Sequence, residues 1–180
     1  MTLEKTSRSI VRYLHHNTAA PRDSAGYVQL LVICQLFQVS RTAVLEIVER
    51  VAKDRLNLSP CQQLIRACSG HSTDDVDVGN ISQYEITDYR DVCYCVHGTT
   101  RSVYENIKIS GLSRMKRQMI QFADCKDTVK RHSTVLIHLD VKRYLAKGEK
   151  LCRLQNGTLA APGNAKGMMK TSFFHRVQFL

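Results

Sequence analysis

The sequence has no apolar run approaching the roughly 20 residues that a membrane-spanning helix needs. It also lacks any C-x-x-C pair, internal repeat or low-complexity segment. Acid is scarce as well, with 16 Asp and Glu against 26 Lys and Arg. Each shortage removes a class. No bilayer-crossing helix is expected. Residues 1–17, interrupted by Lys5, Arg8 and Arg12, lack the apolar stretch of a secretory signal, so an intracellular protein is expected. The seven cysteines (Cys34, Cys61, Cys68, Cys93, Cys95, Cys125, Cys152) are odd in number and have no paired ligand spacing. Neither a disulfide framework nor a metal site is expected, and the thiols read as reduced and mostly buried.

The acid deficit is uneven along the chain. Residues 1–72 carry nine Lys or Arg against five acids, residues 73–100 one against six, and residues 101–180 sixteen against five, within a net charge of +10. A positive field concentrated in the C-terminal half, with a smaller share at the N-terminus, favours a polyanionic partner, nucleic acid first.

Periodicity predicts a helix-rich first part and a strand-rich second. Ile10 and Leu14 stripe an opening helix, and Pro21 and Gly26 break the chain after it. Val28–Phe37 is an apolar helix candidate. Ser40 is placed to cap a third helix over Arg41–Lys53, and Arg55–Leu58 and Leu64–Ala67 read as short strands. Three helices and a small β ribbon point to a winged-helix lobe over residues 1–72. Residues 73–91 are acidic and polar, suited to a connector. Over residues 92–180, strands are expected at Val92–Val96, Val135–Leu139 and Phe173–Phe179. Helices are expected at Arg101–Ser110, ended by Gly111, and Asp140–Lys147, ended by Gly148, with a hairpin turn at Asn156-Gly157. The fold class is α+β.

Four stretches hold groups suited to a phosphate. They are Leu14-His15-His16, Ile65-Arg66-Ala67-Cys68-Ser69-Gly70-His71-Ser72, His97-Gly98-Thr99-Thr100 and Val129-Lys130-Arg131-His132-Ser133. Guanidinium groups clamp phosphate oxygens bidentately, and imidazole moves protons near neutral pH. From the residues alone, the reading is two arginines and a histidine suited to a phosphate.

In order and spacing these stretches resemble the KptA family of RNA 2′-phosphotransferases over nearly the whole chain. The family's L-R-H helix end corresponds to Leu14-His15-His16, its D-G-Y-V turn to Ala25-Gly26-Tyr27-Val28, and its D-K-x-R-F segment to Lys53-Asp54-Arg55-Leu56. Its I-R-A-x-x-G-H-S signature stands at Ile65–Ser72 and its Y-H-G-T at Val96–Thr99. Its G-L-x-x-M-x-R run stands at Gly111–Arg117, its phosphate-site arginine at Arg131, and its S-x-N-G-V hairpin at Leu154–Thr158.

The resemblance implies a C-terminal ADP-ribosyltransferase-like lobe of mixed β structure that binds NAD as co-substrate, beside an RNA-binding winged-helix lobe. It implies an NAD-dependent removal of an internal 2′-phosphate from RNA, tRNA being the usual family substrate. The reaction passes through an ADP-ribosylated phosphate and gives 2′-OH RNA, nicotinamide and ADP-ribose 1″,2″-cyclic phosphate. His16, Arg66, Arg131 and His15 would be catalytic. Arg66, His71 and Arg131 would bind the RNA phosphate, and His97, Gly98, Thr99, Gln121, Asn156 and Gly157 would bind NAD. A monomer is expected.

The chain departs from the family pattern at His15, where the family has arginine, at Ser69, where it has glutamine, and at Met119 and Gln121, where it has histidines. Loss of one fixed charge at a phosphate site is worth roughly 2–4 kcal/mol in a transition state. Two other readings therefore stand beside the first: a weak or inactive relative that binds RNA or ADP-ribose, and an ADP-ribosyltransferase acting on nucleic-acid phosphates.

Overall fold

The computed structural model describes residues 2–52 and 54–180, with the side chains of Val78 and Ile81 left aside. Lys53, expected to end the third helix and to open the segment Lys53–Leu56, lies outside the described residues. The chain divides into two compact units, Met1–Ile81 and Ser82–Leu180, and the mixture of helices and small antiparallel sheets agrees with an α+β class.

In the first unit, helix α1 spans Leu3–His16. Thr2 caps its start by accepting from the Lys5 amide, Glu4 sits in its first turn, and His15 and His16 sit in its last. Its inward face, Ile10, Val11 and Leu14, packs with Ile33, Val44, Ile47, Leu56 and Ile65 in one core. Strand β1 (Val28–Gln29) leads directly into α2 (Leu30–Phe37), so the apolar stretch read as one helix begins as two residues of strand. Val28 is held opposite Ile65, which pulls that end into the sheet. Helix α3 (Arg41–Glu46) starts at Ser40, whose hydroxyl accepts from the Ala43 amide, and continues as a wider π turn over Ile47–Val51. The Ala52 amide reaches five residues back to the Ile47 carbonyl, at 2.8 Å, which defines that turn. Strands β2 (Leu56–Leu58) and β3 (Leu64–Ala67) complete an antiparallel sheet in the order β1-β3-β2. The unit ends in a single helical turn, α4 (Val78–Ile81).

The second unit begins inside the segment expected to be a connector. Strand β4 (Ser82–Glu85) pairs with a later strand, and the Ile86 amide then donates to the Leu151 carbonyl. A lateral strand with exposed side chains on both faces needs no apolar alternation, which is why it reads as linker. A 3-10 turn at Tyr89–Asp91 follows. The strand expected over Val92–Val96 starts only at Val96: β5 is Val96–Thr99, so the His-Gly-Thr stretch lies within it. Residues 92–95 leave the ladder apart from the Cys95 carbonyl, which accepts from Leu139, and Cys95 itself is core.

Helix α5 (Arg101–Ser110) ends at Gly111, and β6 (Leu112–Ser113), β7 (Ile120–Phe122) and β8 (Val135–Leu139) follow. Helix α6 (Val141–Ala146) is capped by Asp140. Then come β9 (Cys152–Leu154), β10 (Leu159–Ala161), β11 (Met168–Met169) and β12 (Phe174–Phe179). The sheets run β4-β9-β10-β7, β12-β8-β5 and β11-β6. An isolated bridge between Val96 and Ala123 ties β5 to the end of β7. Strand β8, central in its sheet, buries Leu136 as well as Val135 and Ile137, so both faces are apolar. None of the seven cysteines is in a disulfide.

Gly111 has φ +88° and ψ −179°, a region open in practice only to glycine. A Cβ there would lie 2.2 Å from the Met169 carbonyl oxygen, an atom fixed by the β11-β6 pairing. Gly111→Ala is expected to lower the unfolding free energy by about 3 kcal/mol or more. Gly148→Ala, at φ +74° with nothing within 4 Å of the added carbon, is expected to lose only about 1 kcal/mol. Urea unfolding of both variants checks the difference, and equal losses contradict it.

Candidate active site

In the first unit, the loop after β3 folds back onto the last turn of α1. The Ser72 amide donates to the His15 carbonyl at 3.1 Å, and the Ser72 hydroxyl lies 2.8 Å from His16 Nδ1. His15 therefore meets His16 edge-on at 5.4 Å and His71 at 5.8 Å between ring centroids. Gly70, at φ +85°, makes this possible: a Cβ on it would come 3.3 Å from the His15 ring. Gly26 has the same function on the other side. It has φ +81°, and a Cβ there would sit 3.2 Å from His71 Nε2. The glycines of two sequence motifs thus keep backbone close to two imidazoles.

Arg66 enters from β3 and is only 3% exposed. Its Nη1 donates to the Ala25 carbonyl at 3.0 Å and the Asn80 carbonyl at 3.2 Å, and its guanidinium lies 4.5 Å over the Tyr27 ring. A second arginine with its side chain fully covered, Arg22, escaped sequence reasoning. It donates to Thr73 Oγ1 at 2.7 Å, to Asp75 at 3.1 Å and to the Asn17 carbonyl at 2.6 Å. Fifty-three residues separate Arg22 from Asp75, and nothing in either neighbourhood marks the pair.

His71 sits among these groups at 1% exposure, and among the described residues neither ring nitrogen has a hydrogen-bond partner in the protein. Burial, reinforced by the charges of Arg22, Arg66 and His16 and opposed by Asp75, pushes its pKa down to about 4. The structure therefore brings His15, His16, Arg66, His71 and Ser72 together. Such a cationic, imidazole-rich cluster can hold a phosphate and exchange protons with it.

In the second unit, His97 Nδ1 lies 3.0 Å from the Gln121 carbonyl, and its ring meets Phe122 edge-on. Burial lowers the His97 pKa, with Lys130 and Arg117 adding to the effect and the Gln121 carbonyl opposing it. Arg117 donates to Gln121 Oε1 at 3.0 Å. Lys130 is likewise held below the usual lysine range, by burial and then by Arg117. Gly98 admits the following loop: a Cβ there would meet Ser133 Oγ at 2.3 Å. Thr99 is buried beside it and accepts from the Thr134 amide through its carbonyl.

Asn156-Gly157 forms the expected turn between β9 and β10, with Gly157 at φ +83°. Arg153 fixes this turn by donating to the Gly157 carbonyl at 3.0 Å and to Asp124 at 2.9 Å. The segment Ile120–Asp124 thus collects the expected dinucleotide residues, with His97 at Gln121 and the Asn156-Gly157 turn at Asp124. Arg131 stands exposed on the turn between Lys130 and Ser133. Sequence reasoning missed Arg117 and Lys130 as neighbours of His97. Their positive charge was legible, but their convergence was not.

His71 has a direct consequence for stability. Its unfolded pKa lies near 6.5 and its folded pKa near 4, so protons bind the unfolded chain first. The stability associated with neutral His71 is complete above pH 6.5 and drains away towards pH 4, at a slope approaching about 1.4 kcal/mol per pH unit. His71→Gln is expected to flatten that slope in urea titrations between pH 7 and 4.5. An unchanged slope would assign the acid sensitivity to other groups.

Comparison with known proteins bears on both clusters. The family described as RNA 2′-phosphotransferase, Tpt1/KptA family, matches residues 2–163. The tRNA 2′-phosphotransferase 1 of Danio rerio is 27% identical over 198 residues, covering 98% of this chain and 85% of that protein. A relative in Schizosaccharomyces pombe is 27% identical over 188 residues; this chain is covered to 96% but spans half of that protein. The tRNA 2′-phosphotransferase 1 of Bos taurus is 29% identical over 168 residues, 86% of this chain and 65% of its own length. The matched span takes in α1, the Arg66–Ser72 stretch, the His97 strand and the Asn156-Gly157 turn, and on it the chain belongs to the RNA 2′-phosphotransferase, Tpt1/KptA family.

Proposed function

We propose that the protein is an NAD-dependent RNA 2′-phosphotransferase that removes an internal 2′-phosphate from RNA, with tRNA as the natural substrate class. It converts the 2′-phosphorylated RNA and NAD to 2′-OH RNA, nicotinamide and ADP-ribose 1″,2″-cyclic phosphate. The observation that carries this reading is the convergence of His16, His15, Arg66 and His71, from two distant stretches of sequence, around the α1 terminus. In this reading the first unit is a winged-helix-like RNA lobe, and the second an ADP-ribosyltransferase-like lobe. The run of helices α1 to α3 around a three-stranded antiparallel sheet supports the former.

NAD supplies a ribosyl carbon that carries a good leaving group. The residues around His97 suit a dinucleotide. Arg117 and Lys130 bring positive charge against a buried imidazole. A diphosphate suits such a cluster. His97 is fixed by the Gln121 carbonyl, and the Asn156-Gly157 turn by Arg153.

On the RNA side, Arg66 is pre-oriented by two carbonyls and an aromatic face, so it binds phosphate oxygens with little reorganisation. Arg131, exposed on its turn in the second unit, is the second guanidinium proposed to bind the phosphate. His16, whose ring Nδ1 lies against the Ser72 hydroxyl, is the group we propose to exchange a proton with the ribose hydroxyl that attacks phosphorus.

The test supplies NAD and an RNA oligomer with an internal 2′-phosphate, following nicotinamide release and RNA mass. Conversion is expected, and His16→Ala is expected to lower kcat by about a hundredfold or more. His15→Arg is expected to raise the rate, because a guanidinium carries a permanent charge and a bidentate donor pair that an imidazole lacks. A lower rate in that variant contradicts the account of position 15. Absence of conversion at high enzyme concentration favours a protein that binds RNA or ADP-ribose without turnover. A lasting ADP-ribose adduct on the RNA favours transfer to a nucleic-acid phosphate.

A further inference from the structure

Helix α1 carries charge on the side opposite its core contacts. Lys5, Arg8, Arg12 and His16 are spaced three, four and four residues apart, all exposed, and so share one face. The buried face, Thr6, Ser7, Ile10, Val11 and Leu14, lies across the helix from them. At about 1.5 Å of rise per residue the stripe runs roughly 16 Å, with neighbouring cations about 4.5–6 Å apart along the axis. One end is His16, already tied to Ser72 in the phosphate cluster. At the other, Thr2, Lys5, Arg8 and Ser9 line an open depression. Glu4 is the helix's single acid and engages Arg8 at 3.3 Å. Among the described residues neither Lys5 nor Arg12 has an ion-pair partner.

We propose that this face is a track for the RNA backbone beside the reacting nucleotide, with Lys5 and Arg12 contacting flanking phosphates while His16 faces the 2′-phosphate. The proposal rests on the phosphotransferase reading for the identity of the polyanion. A basic helix face can also meet an anionic membrane. Membrane-surface helices, however, bury their apolar side in lipid, whereas that side of α1 is occupied by the core of its own unit. A backbone track is also independent of base sequence, because it reads phosphates alone.

The experiment uses the full chain, the double variant Lys5→Gln/Arg12→Gln and a charge-matched control, Lys147→Gln/Lys150→Gln, in the second unit. Two probes are bound at several salt concentrations: a dinucleotide carrying one 2′-phosphate, and a longer single strand carrying the same group. The α1 variant is expected to weaken binding of the longer strand about tenfold at low salt and to reduce its log–log salt slope by about 1.4, close to 0.7 per lost phosphate contact. Dinucleotide binding should stay within about twofold, and the control should match wild type.

Equal weakening of both probes, or equal weakening in the control, overturns the track. So does a loss confined to phosphatidylserine vesicles while RNA binding is unchanged. Binding is measured apart from turnover, so a protein that grips the long strand through α1 yet converts nothing refutes the enzymatic reading and keeps the track. Conversion with wild-type KM in the α1 variant does the reverse.

Discussion

A guanidinium held almost wholly out of water sets the terms for the first unit. Removing a charge from water is costly unless the protein supplies compensating dipoles, and Arg66 receives them from the Ala25 and Asn80 carbonyls and the Tyr27 face. Those partners come from the turn after α1 and from α4, so the arginine stitches the ends of the unit to its sheet. Arg22 meets the same demand differently, through the Asp75 carboxylate and Thr73. Asp75 offsets the charge of Arg22, which therefore acts as a strut. Carbonyl dipoles and the Tyr27 face fix the orientation of Arg66.

The second unit is organised around a short strand rather than a charge. β7 pairs with β10, bridges to β5 through Ala123 and Val96, and offers the Gln121 carbonyl to His97 and, just beyond the strand, the Asp124 carboxylate to Arg153. Two of these links use backbone atoms, which do not depend on the side chain at 121. The position of His97 therefore does not depend on which side chain stands at 121. The side-chain amide then serves a different partner, Arg117.

What could be read in advance followed how local the information was. Helix α5 and its Gly111 stop, the Ser40 cap and the Asn156-Gly157 turn each depend on a few consecutive residues, and all stand where the pattern put them. The π turn after Glu46 was invisible because Val48 and Val51 recur at a period compatible with an ordinary helix. β4 was hidden because its residues contact solvent on both faces, and its strand character comes from pairing with β9, nearly seventy residues on. Alternation over Val92–Val96 misled because Cys95 is the core residue and Tyr94 only half-buried. In the site, His15, His16, Arg66 and His71 were legible as motif residues. Arg22, Asp75, Arg117 and Lys130 were not, because their significance lies entirely in their neighbours.

The three imidazoles of the first unit bear on how an anion would be held. His15 meets His16 at 5.4 Å and His71 at 5.8 Å between ring centroids, and His71 is kept neutral by burial and by the charges of Arg22 and Arg66. A dianionic phosphate among them would reverse the local field and favour protonation of the same rings. Proton and phosphate then stabilise each other's binding, by equal free energies in both directions. A fixed guanidinium at position 15 would make phosphate affinity insensitive to that proton. An imidazole, unlike a guanidinium, can take up its charge together with the ligand.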